Sequence, residues 1–582
     1  MTRKCLSVLL CLAMLFQVLS LSLAEESVNE QGNDQNDLHG HTFEVLTVPT
    51  YFVSTELTFD FPLYFRDQVM DLPYVEVRDL SSLLVTFAKV MGNNSYGIVA
   101  EMDGSLVLLT RENGCSMLID FDRDVISFDE YDGFTHLSID TSIIDSVNTG
   151  SLGEEDSVFL RVSAGSYDRL GFQLNMDLSA YGIELFRDEE NELYLLPLHT
   201  MTDILLPLSM GSLSSYYNGK QLFIANGSIL SEDGEWTEIG ELLWQCDKGE
   251  KSPELAEYSY RELCFLLDQF YGLKETHQIT SFDDLFTKEG LKGRLLSTDP
   301  VESDVALDFF IENNLDDLHS GFSLPSYLYD EQQDLAMGLD YLNTQDIEAY
   351  FREQRQSILG DVPFYQEVGN TAYITFDGFH AGEVNYRTEL DKARPDDTIA
   401  QLIRAHEQLT REDSPVTRVV LDLSCNGGGD VDAAVFVLAW MLGEAPITIA
   451  NTLTGASSTV LYRADTDLNG LFDERDTVTD RELFCLISPV SFSCGNAVPC
   501  ILKDYPNVTL LGQTSGGGSC VVMKASTAYG SSFQLSSPLR ISRRKNGSLY
   551  DVDRGVEPDV YIANVANFYN REALNEYLDR LF

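Results

Sequence analysis

Apolar and polar positions along this chain follow several spacings in succession, and the changes between them divide it into regions. Residues 1–24 open with Arg3 and Lys4, continue as an apolar run from Leu6 to Phe16, and end in Ser22-Leu23-Ala24. This is the three-part pattern of a secretory signal peptide. Residues 25–41 are polar and acidic and predict a flexible lead-in. Short apolar runs then alternate with turns. A strand is predicted over 71–77 with a helix over 78–84, and further strands over 96–109 and 115–128. The strand–helix pair recurs over 193–198 and 200–206. This weak repeat predicts two small α+β modules, 42–150 and 155–245. Between 251 and 360 the spacing turns helical, with helices over 255–273 and 331–359. From Thr371 strand and helix alternate. Strands over 372–376, 419–423, 483–488 and 508–511 and a helix over 398–409 predict an α/β core across 365–565, closed by a helix over 566–582.

One junction in that core concentrates chemistry. The apolar strand over 483–488 leads through Ser491-Phe492-Ser493-Cys494-Gly495 into a segment of helical spacing that contains Pro499, a residue type tolerable in a first turn. A hydroxyl at a helix N-terminus lies where free backbone N–H groups favour an alkoxide or oxyanion. Ser493 therefore reads either as a nucleophile or as a helix cap. Cys494 is a rival nucleophile, because a thiolate is favoured at the same place. Upstream, the buried strand Val419-Val420-Leu421-Asp422-Leu423 runs into Ser424-Cys425-Asn426-Gly427-Gly428-Gly429, a turn whose N–H groups approach a substrate without interference from Cβ atoms. Between these segments lies a second pattern. Asp465, Asp467, Asn469, Leu471, Asp473 and Asp476 occupy positions 1, 3, 5, 7, 9 and 12 of a loop with Gly470 at position 6. That is the ligand spacing of an EF-hand-like calcium loop, in which position 7 contributes only its carbonyl. It predicts a structural calcium ion and resembles the loops of dockerin-type modules. The alternative is an acidic surface turn.

Composition removes other functions. A net charge of −55 repels phosphate backbones and anionic lipid, which excludes nucleic acid as a partner. No stretch beyond the signal peptide is long and apolar enough to span a bilayer. The expected product is secreted, with no membrane span after signal removal. Of ten cysteines, eight follow residue 24, with no CxxC pair and no His-Cys zinc spacing. An even number permits disulfides.

Four segments together resemble the serine peptidase family that contains the tail-specific (C-terminal processing) proteases and the tricorn core. They are Leu421 to Gly429, Ser491 to Gly495, Leu511-Gly512-Gln513-Thr514-Ser515-Gly516-Gly517-Gly518, and Gly555-Val556-Glu557-Pro558-Asp559. The resemblance covers about 250–565, without a PDZ-like insertion. It implies a ClpP/crotonase-like α/β catalytic core, here with a helical lead-in and two N-terminal modules, acting on a peptide or protein substrate. It places Ser493 as the nucleophile and the N–H groups of Gly428 and Cys494 in the oxyanion hole. Processing proteases of the family carry a lysine where this chain has Gly518, and the nearest downstream lysine is Lys524. The tricorn-like branch uses a histidine instead, and Leu315-Asp316-Asp317-Leu318-His319-Ser320 resembles its segment, with Leu318 where that branch has a serine. His319 is therefore the implied base. Asp553 is the implied orienting acid, with Glu557, Asp316 and Asp317 as alternatives. The other histidines, His199 among them, read as surface or core residues. The motif order also brings Cys425, Cys494 and Cys520 near the site, with a disulfide between two of them as one outcome. Because the family has retinoid-binding relatives, the rival function is a non-catalytic binding protein on the same fold.

Overall fold

The computed structural model describes residues 36–38, 41–53, 57–90, 93–136, 159–188, 191–208, 213–227, 231–232, 235–315, 317–330, 338–382, 384–545 and 548–581. Residues 1–24, expected as a signal peptide, most of the expected lead-in and Asp316 lie outside these ranges.

Six strands form the core sheet, in the order Tyr365–Val368, Thr371–Thr375, Arg418–Asp422, Glu482–Ile487, Val508–Gly512 and Val560–Tyr561. The first pair is antiparallel and every other pair parallel. Thr371–Thr375 and Arg418–Asp422 are buried at every position, because the crossover helices of a parallel sheet cover both faces. Those helices are Thr398–Thr410, Val431–Leu442 and Cys494–Leu502. Val431–Leu442 packs against the strands Ala445–Asn451 and Ser457–Ala464 of a second sheet, and this burial explains its near-uniform apolar sequence. The second sheet runs Gly321–Leu324, Ser532–Lys545, Ala445–Asn451, Ser457–Ala464, Leu160–Arg169, and Cys520–Ser526 and Ser548–Asp551 also pair with Ser532–Lys545. The α/β architecture expected of the core is observed.

The N-terminal half departs from expectation. The repeat is present, as strand Pro73–Glu76 with helix Val77–Val90 and strand Leu193–Pro197 with helix Leu198–Leu205. Its copies do not form separate modules at 42–150 and 155–245. The two strands pair with each other, Leu196 opposite Val75, inside one eight-stranded sheet. Both strands are buried throughout and need a neighbour on each edge, which neither copy supplies alone. Strand Leu160–Arg169, expected within the second module, pairs instead with Ser457–Ala464 beside the peptidase-like core. The helical region contains Pro253–Phe270, Phe282–Lys288, Pro300–Phe310 and Leu339–Leu359, and 331–337 of the expected second long helix lie outside the described residues. It is not wholly helical: Gly321–Leu324 leaves it to join the second sheet through Phe322 opposite Phe533.

All eight described cysteines are free. The disulfide considered among Cys425, Cys494 and Cys520 does not form. Cys494 Sγ faces the carbonyl of Gly429 at 3.1 Å and Cys425 Sγ faces the Tyr569 hydroxyl at 3.5 Å, so each thiol is engaged elsewhere. Among the described residues no helix is long and apolar enough to cross a membrane.

Candidate active site

Ser493 stands between the central strand Glu482–Ile487 and the helix Cys494–Leu502, with φ 52° and ψ −121°. A non-glycine residue at positive φ is strained, and such strain persists only where its surroundings impose it. Here the Ser493 N–H donates to the Gly517 carbonyl at 2.9 Å, the Phe492 N–H to the Asn426 carbonyl at 3.1 Å, and the N–H groups of Asn496 and Ala497 to the Ser493 carbonyl at 2.9 and 2.8 Å. Ser491 anchors the turn from below through its hydroxyl, which donates to the Leu423 carbonyl at 2.7 Å. The Ser493 side chain makes no capping bond to the helix, which removes the alternative reading of this residue as a cap. The residue is half-buried, its hydroxyl carried on a sharp turn. Cys494, by contrast, is buried, and burial pushes its thiol up to about 12, so a reactive thiolate is disfavoured at neutral pH.

The glycine turn lies directly against this serine. A Cβ added at Gly428, where φ is 110°, would come within 2.6 Å of Ser493 Cβ and 3.2 Å of its Oγ. Glycine is required there for the approach. The expected oxyanion donors need one correction. The Gly428 N–H already donates to the Asn426 side-chain oxygen at 2.9 Å, since the amide folds back over its own turn. Among the described residues no acceptor takes the N–H of Cys494, in the first turn of its helix, or that of Gly429.

His319 reaches the same place from far upstream. Its ring packs on Phe492, the residue before Ser493, with centroids 4.7 Å apart, and it is 6% exposed. Its Nε2 is buried and has no hydrogen-bond partner among the described residues, Ser493 included. Burial lowers the imidazole below its ordinary value, against the opposing charges of Asp317 and Asp553. Burial thus favours the neutral ring, the form a base needs. A Cβ at Gly518 would lie 2.6 Å from the Phe492 ring and 3.2 Å from His319 Cε1. The space that a side chain at 518 would enter is filled by the histidine and the phenylalanine.

Two carboxylates act on this ring. Asp553 sits on the loop behind the glycine segment. Its carbonyl accepts from the Gly518 N–H at 3.1 Å, and its Oδ1 accepts from the Ser519 N–H at 3.1 Å and hydroxyl at 3.3 Å. Asp317 accepts from the His319 N–H at 3.1 Å and the Ser320 hydroxyl at 2.7 Å. Glu557 is exposed and plays no part in this cluster. Lys524 is not a free amine: its Nζ donates to Gln534 Oε1 at 2.5 Å, and Gln534 Nε2 donates to the His319 carbonyl at 3.1 Å.

Several supporting residues escaped the sequence reading. Asn496 donates to the Val552 carbonyl at 2.9 Å and accepts from the Ser515 hydroxyl at 2.7 Å, while Ser515 Oγ accepts from the Val556 N–H at 2.7 Å. Asn426 ties the glycine turn to Phe376 at 3.1 Å. Together they hold the glycine turn, the serine turn, the loop at 515–518 and the Asp553 loop in one frame. Asn426 and Asn496 are fully buried polar residues, and the only local signal of that was a polar side chain among small ones.

The acidic loop brings together part of the expected ligand set. Gly470 has φ 83°, and Asp465 accepts from the N–H groups of Asn469 at 3.1 Å and Gly470 at 3.0 Å. Carboxylate oxygens of Asp465, Asp467 and Asp476 lie within 4.8 Å of one another. The remaining expected ligands are turned aside. Asn469 Oδ1 accepts from the Leu471 N–H at 2.6 Å, and Asp473 caps a short turn and pairs with Arg475 at 3.1 Å. The Arg387 guanidinium is ion-paired with Asp465. The donor set is all oxygen and carries three converging carboxylates, which suits a hard cation.

Residues 370–562 match the model of peptidase family S41. The match takes in the Ser493 turn, both glycine segments and Asp553, and stops short of His319. No curated protein sequence matches the chain. Solved structures share low identity with it. A lipoprotein from Streptococcus agalactiae is 13% identical over 55% of this chain and 96% of its own, with a TM-score of 0.35. Mature CPAF is 13% identical over 56% of this chain and 96% of its own, TM-score 0.35. A photosystem II D1 C-terminal processing protease is 19% identical over 35% of this chain and 47% of its own, TM-score 0.26.

Proposed function

We propose that this chain, a serine-type peptidase of family S41, cleaves peptide bonds through Ser493 with His319 as its base, in the tricorn-like manner and on a ClpP/crotonase-like core. In this reading Ser493 Oγ attacks the scissile carbonyl carbon while His319 Nε2 takes the hydroxyl proton. The Cys494 N–H holds the developing oxyanion, and the Gly428 N–H joins it on leaving Asn426. His319 then returns the proton to the departing amine as the C–N bond breaks. A water molecule, deprotonated in turn by His319, releases the acyl group and restores the serine. Asp553 orients the imidazolium and stabilises it, with Asp317 holding the backbone of the same histidine.

One observation carries the proposal: a strained serine with an uncommitted hydroxyl, beside a buried histidine whose Nε2 has no partner. Nε2 and Oγ are not hydrogen-bonded in the free protein, and such contacts tighten when substrate arrives. Export by the N-terminal signal and action on the tails of peptide or protein substrates complete the reading. Calcium held by Asp465, Asp467 and Asp476, with Asn469, Asp473 and the Leu471 carbonyl turning inward on binding, braces the segment between core strands.

A fluorophosphonate probe followed by peptide mass spectrometry tests this. The label is expected on Ser493, retained in Cys494→Ala, and lost or greatly slowed in His319→Ala. A folded protein that takes no label, or takes it at another residue, would remove the enzymatic assignment of Ser493 and favour the binding protein.

A further inference from the structure

A second cluster of metal-ligating side chains lies in the N-terminal half of the interior. His199 and Asp203 stand one turn apart on the helix Leu198–Leu205, Glu262 comes from Pro253–Phe270, and the Ser526 carbonyl ends the strand Cys520–Ser526. All four residues are buried: His199 is 6% exposed, Glu262 1%, and Asp203 and Ser526 0%. From His199 Nε2 the Ser526 carbonyl oxygen is 3.0 Å away, Asp203 Oδ2 3.4 Å and Glu262 Oε2 3.8 Å. Ligand atoms of the three side chains all lie within 4.8 Å of one another. A four-coordinate ion with bonds of about 2.0–2.1 Å holds its ligands roughly 3.3–3.4 Å apart, which is the middle of this range.

Hydrogen bonding around the histidine offers a tautomer in which the nitrogen facing the cluster is free to bind an ion. The Thr202 hydroxyl donates to the His199 carbonyl at 2.9 Å. Its oxygen can then accept only from the Ser215 hydroxyl, 2.7 Å away. The Ser215 oxygen is left to accept from His199 Nδ1 at 3.3 Å. Every member of this chain is satisfied when Nδ1 carries the proton, which leaves a lone pair on Nε2; with the proton on Nε2 the ring would instead donate to the Ser526 carbonyl. That lone pair then points among three oxygens that also only accept. Apart from the close approach of the two carboxyl groups to each other, neither oxygen of Asp203 and not Oε1 of Glu262 has a hydrogen-bond partner among the described residues, and no described lysine or arginine is ion-paired with either acid. Burial pushes both acids up, so carboxyl groups in such surroundings require either a shared proton or a counter-charge.

We propose that His199, Asp203, Glu262 and the Ser526 carbonyl form a closed four-ligand site for a divalent transition-metal ion, zinc by preference, which ties the N-terminal sheet region to the strands beneath His319. One imidazole with oxygen donors in a dry interior suits zinc in a structural role. A cleft lined by Asp71, Leu198, His199, Ser215, Tyr258 and Ala528 reaches His199 and offers an entry path. Ser526 lies on the strand of Lys524, which supports His319 through Gln534, so the ion braces the scaffold of the base and takes no part in the reaction.

The test uses the full chain, produced with zinc in the medium and freed of loosely held ions. Elemental analysis is expected to find about one zinc per chain, retained in the calcium-loop variant Asp465→Ala. The near-isosteric double variant Asp203→Asn/Glu262→Gln is expected to hold less than a tenth of that. Stripping the wild-type protein with a strong chelator should lower its thermal midpoint by several degrees, restored by zinc, and leave the double variant unmoved. A folded wild-type protein without stoichiometric zinc, manganese or iron, and indifferent to chelator, would overturn the proposal in favour of two carboxyl groups sharing a proton. Zinc content unchanged in the double variant would overturn it too, because the ion would then sit elsewhere.

Discussion

Ser493 holds a backbone conformation that serine disfavours, and the cost of this can be separated from the chemistry of its hydroxyl. At φ 52° and ψ −121° a side chain collides with its own backbone, whereas glycine does not. Strain of this kind costs about 1–3 kcal/mol. Ser493→Ala keeps the strain and loses no hydrogen bond, since the hydroxyl makes none to the helix it begins. Ser493→Gly relieves the strain but adds roughly 0.4–1 kcal/mol of unfolded-chain entropy. The glycine variant should therefore be more stable than the alanine variant, by about 1 kcal/mol. For a unit the size of the peptidase core this raises the thermal midpoint by roughly 2–4 °C. Both variants lose the nucleophile, and turnover of a peptide substrate should fall by about six orders of magnitude in each. Scanning calorimetry of wild type, Ser493→Ala and Ser493→Gly, with turnover measured on the same samples, supplies the comparison. A glycine variant no more stable than the alanine one would refute the idea that the turn stores strain. Near-normal turnover in either would refute the role of Ser493.

Four further outcomes are expected. His319→Ala should lose several orders of magnitude in turnover and the double variant with Ser493→Ala hardly more, whereas Lys524→Ala should lose less than about tenfold because that lysine acts only through Gln534. Because burial lowers the imidazole, and its neutral form is the active one, kcat/KM should hold down to pH values below the ordinary 6.5 before falling, and a pH profile with its acid limb above 6.5 would contradict the buried base. Gly518→Ala should damage activity out of proportion to its size, since the new methyl meets Phe492 at 2.6 Å and His319 at 3.2 Å; labelling of Ser493 at the wild-type rate would show that the histidine is not held there. Calorimetric titration of the chelated protein should give calcium-binding heat that Asp465→Ala abolishes, and an absence of heat in the wild type would mean that Arg387 alone balances the loop.

Much of the site could be read in the sequence because it is made of local turns. An apolar strand, a serine and a helical segment in succession place a hydroxyl at a helix N-terminus whatever surrounds them. Glycines at 427–429 and 516–518 mark where the backbone must come close, and the acidic loop at 465–476 carries its own register. Periodicity also found the parallel strands, because burial on both faces leaves a near-continuous apolar run. Tertiary structure alone decided which element meets which. The spacing that revealed the strand–helix repeat could not show that Pro73–Glu76 and Leu193–Pro197 are neighbours in one sheet, because a buried strand specifies that it needs a partner but not which one. His319 was implied by resemblance. Its place beside Phe492 depends on Gly321–Leu324 pairing with Ser532–Lys545, a contact set by long-range strand register. The Gly428 N–H is an expected oxyanion donor, and only the packed turn shows it held by the Asn426 amide in the free protein. His199, Asp203 and Glu262 carry no joint spacing in the chain, and they converge because two helices and a strand end pack at one point in the core. Local sequence determines what a segment is and which face it must bury, whereas the meeting of distant side chains is a property of the packed interior.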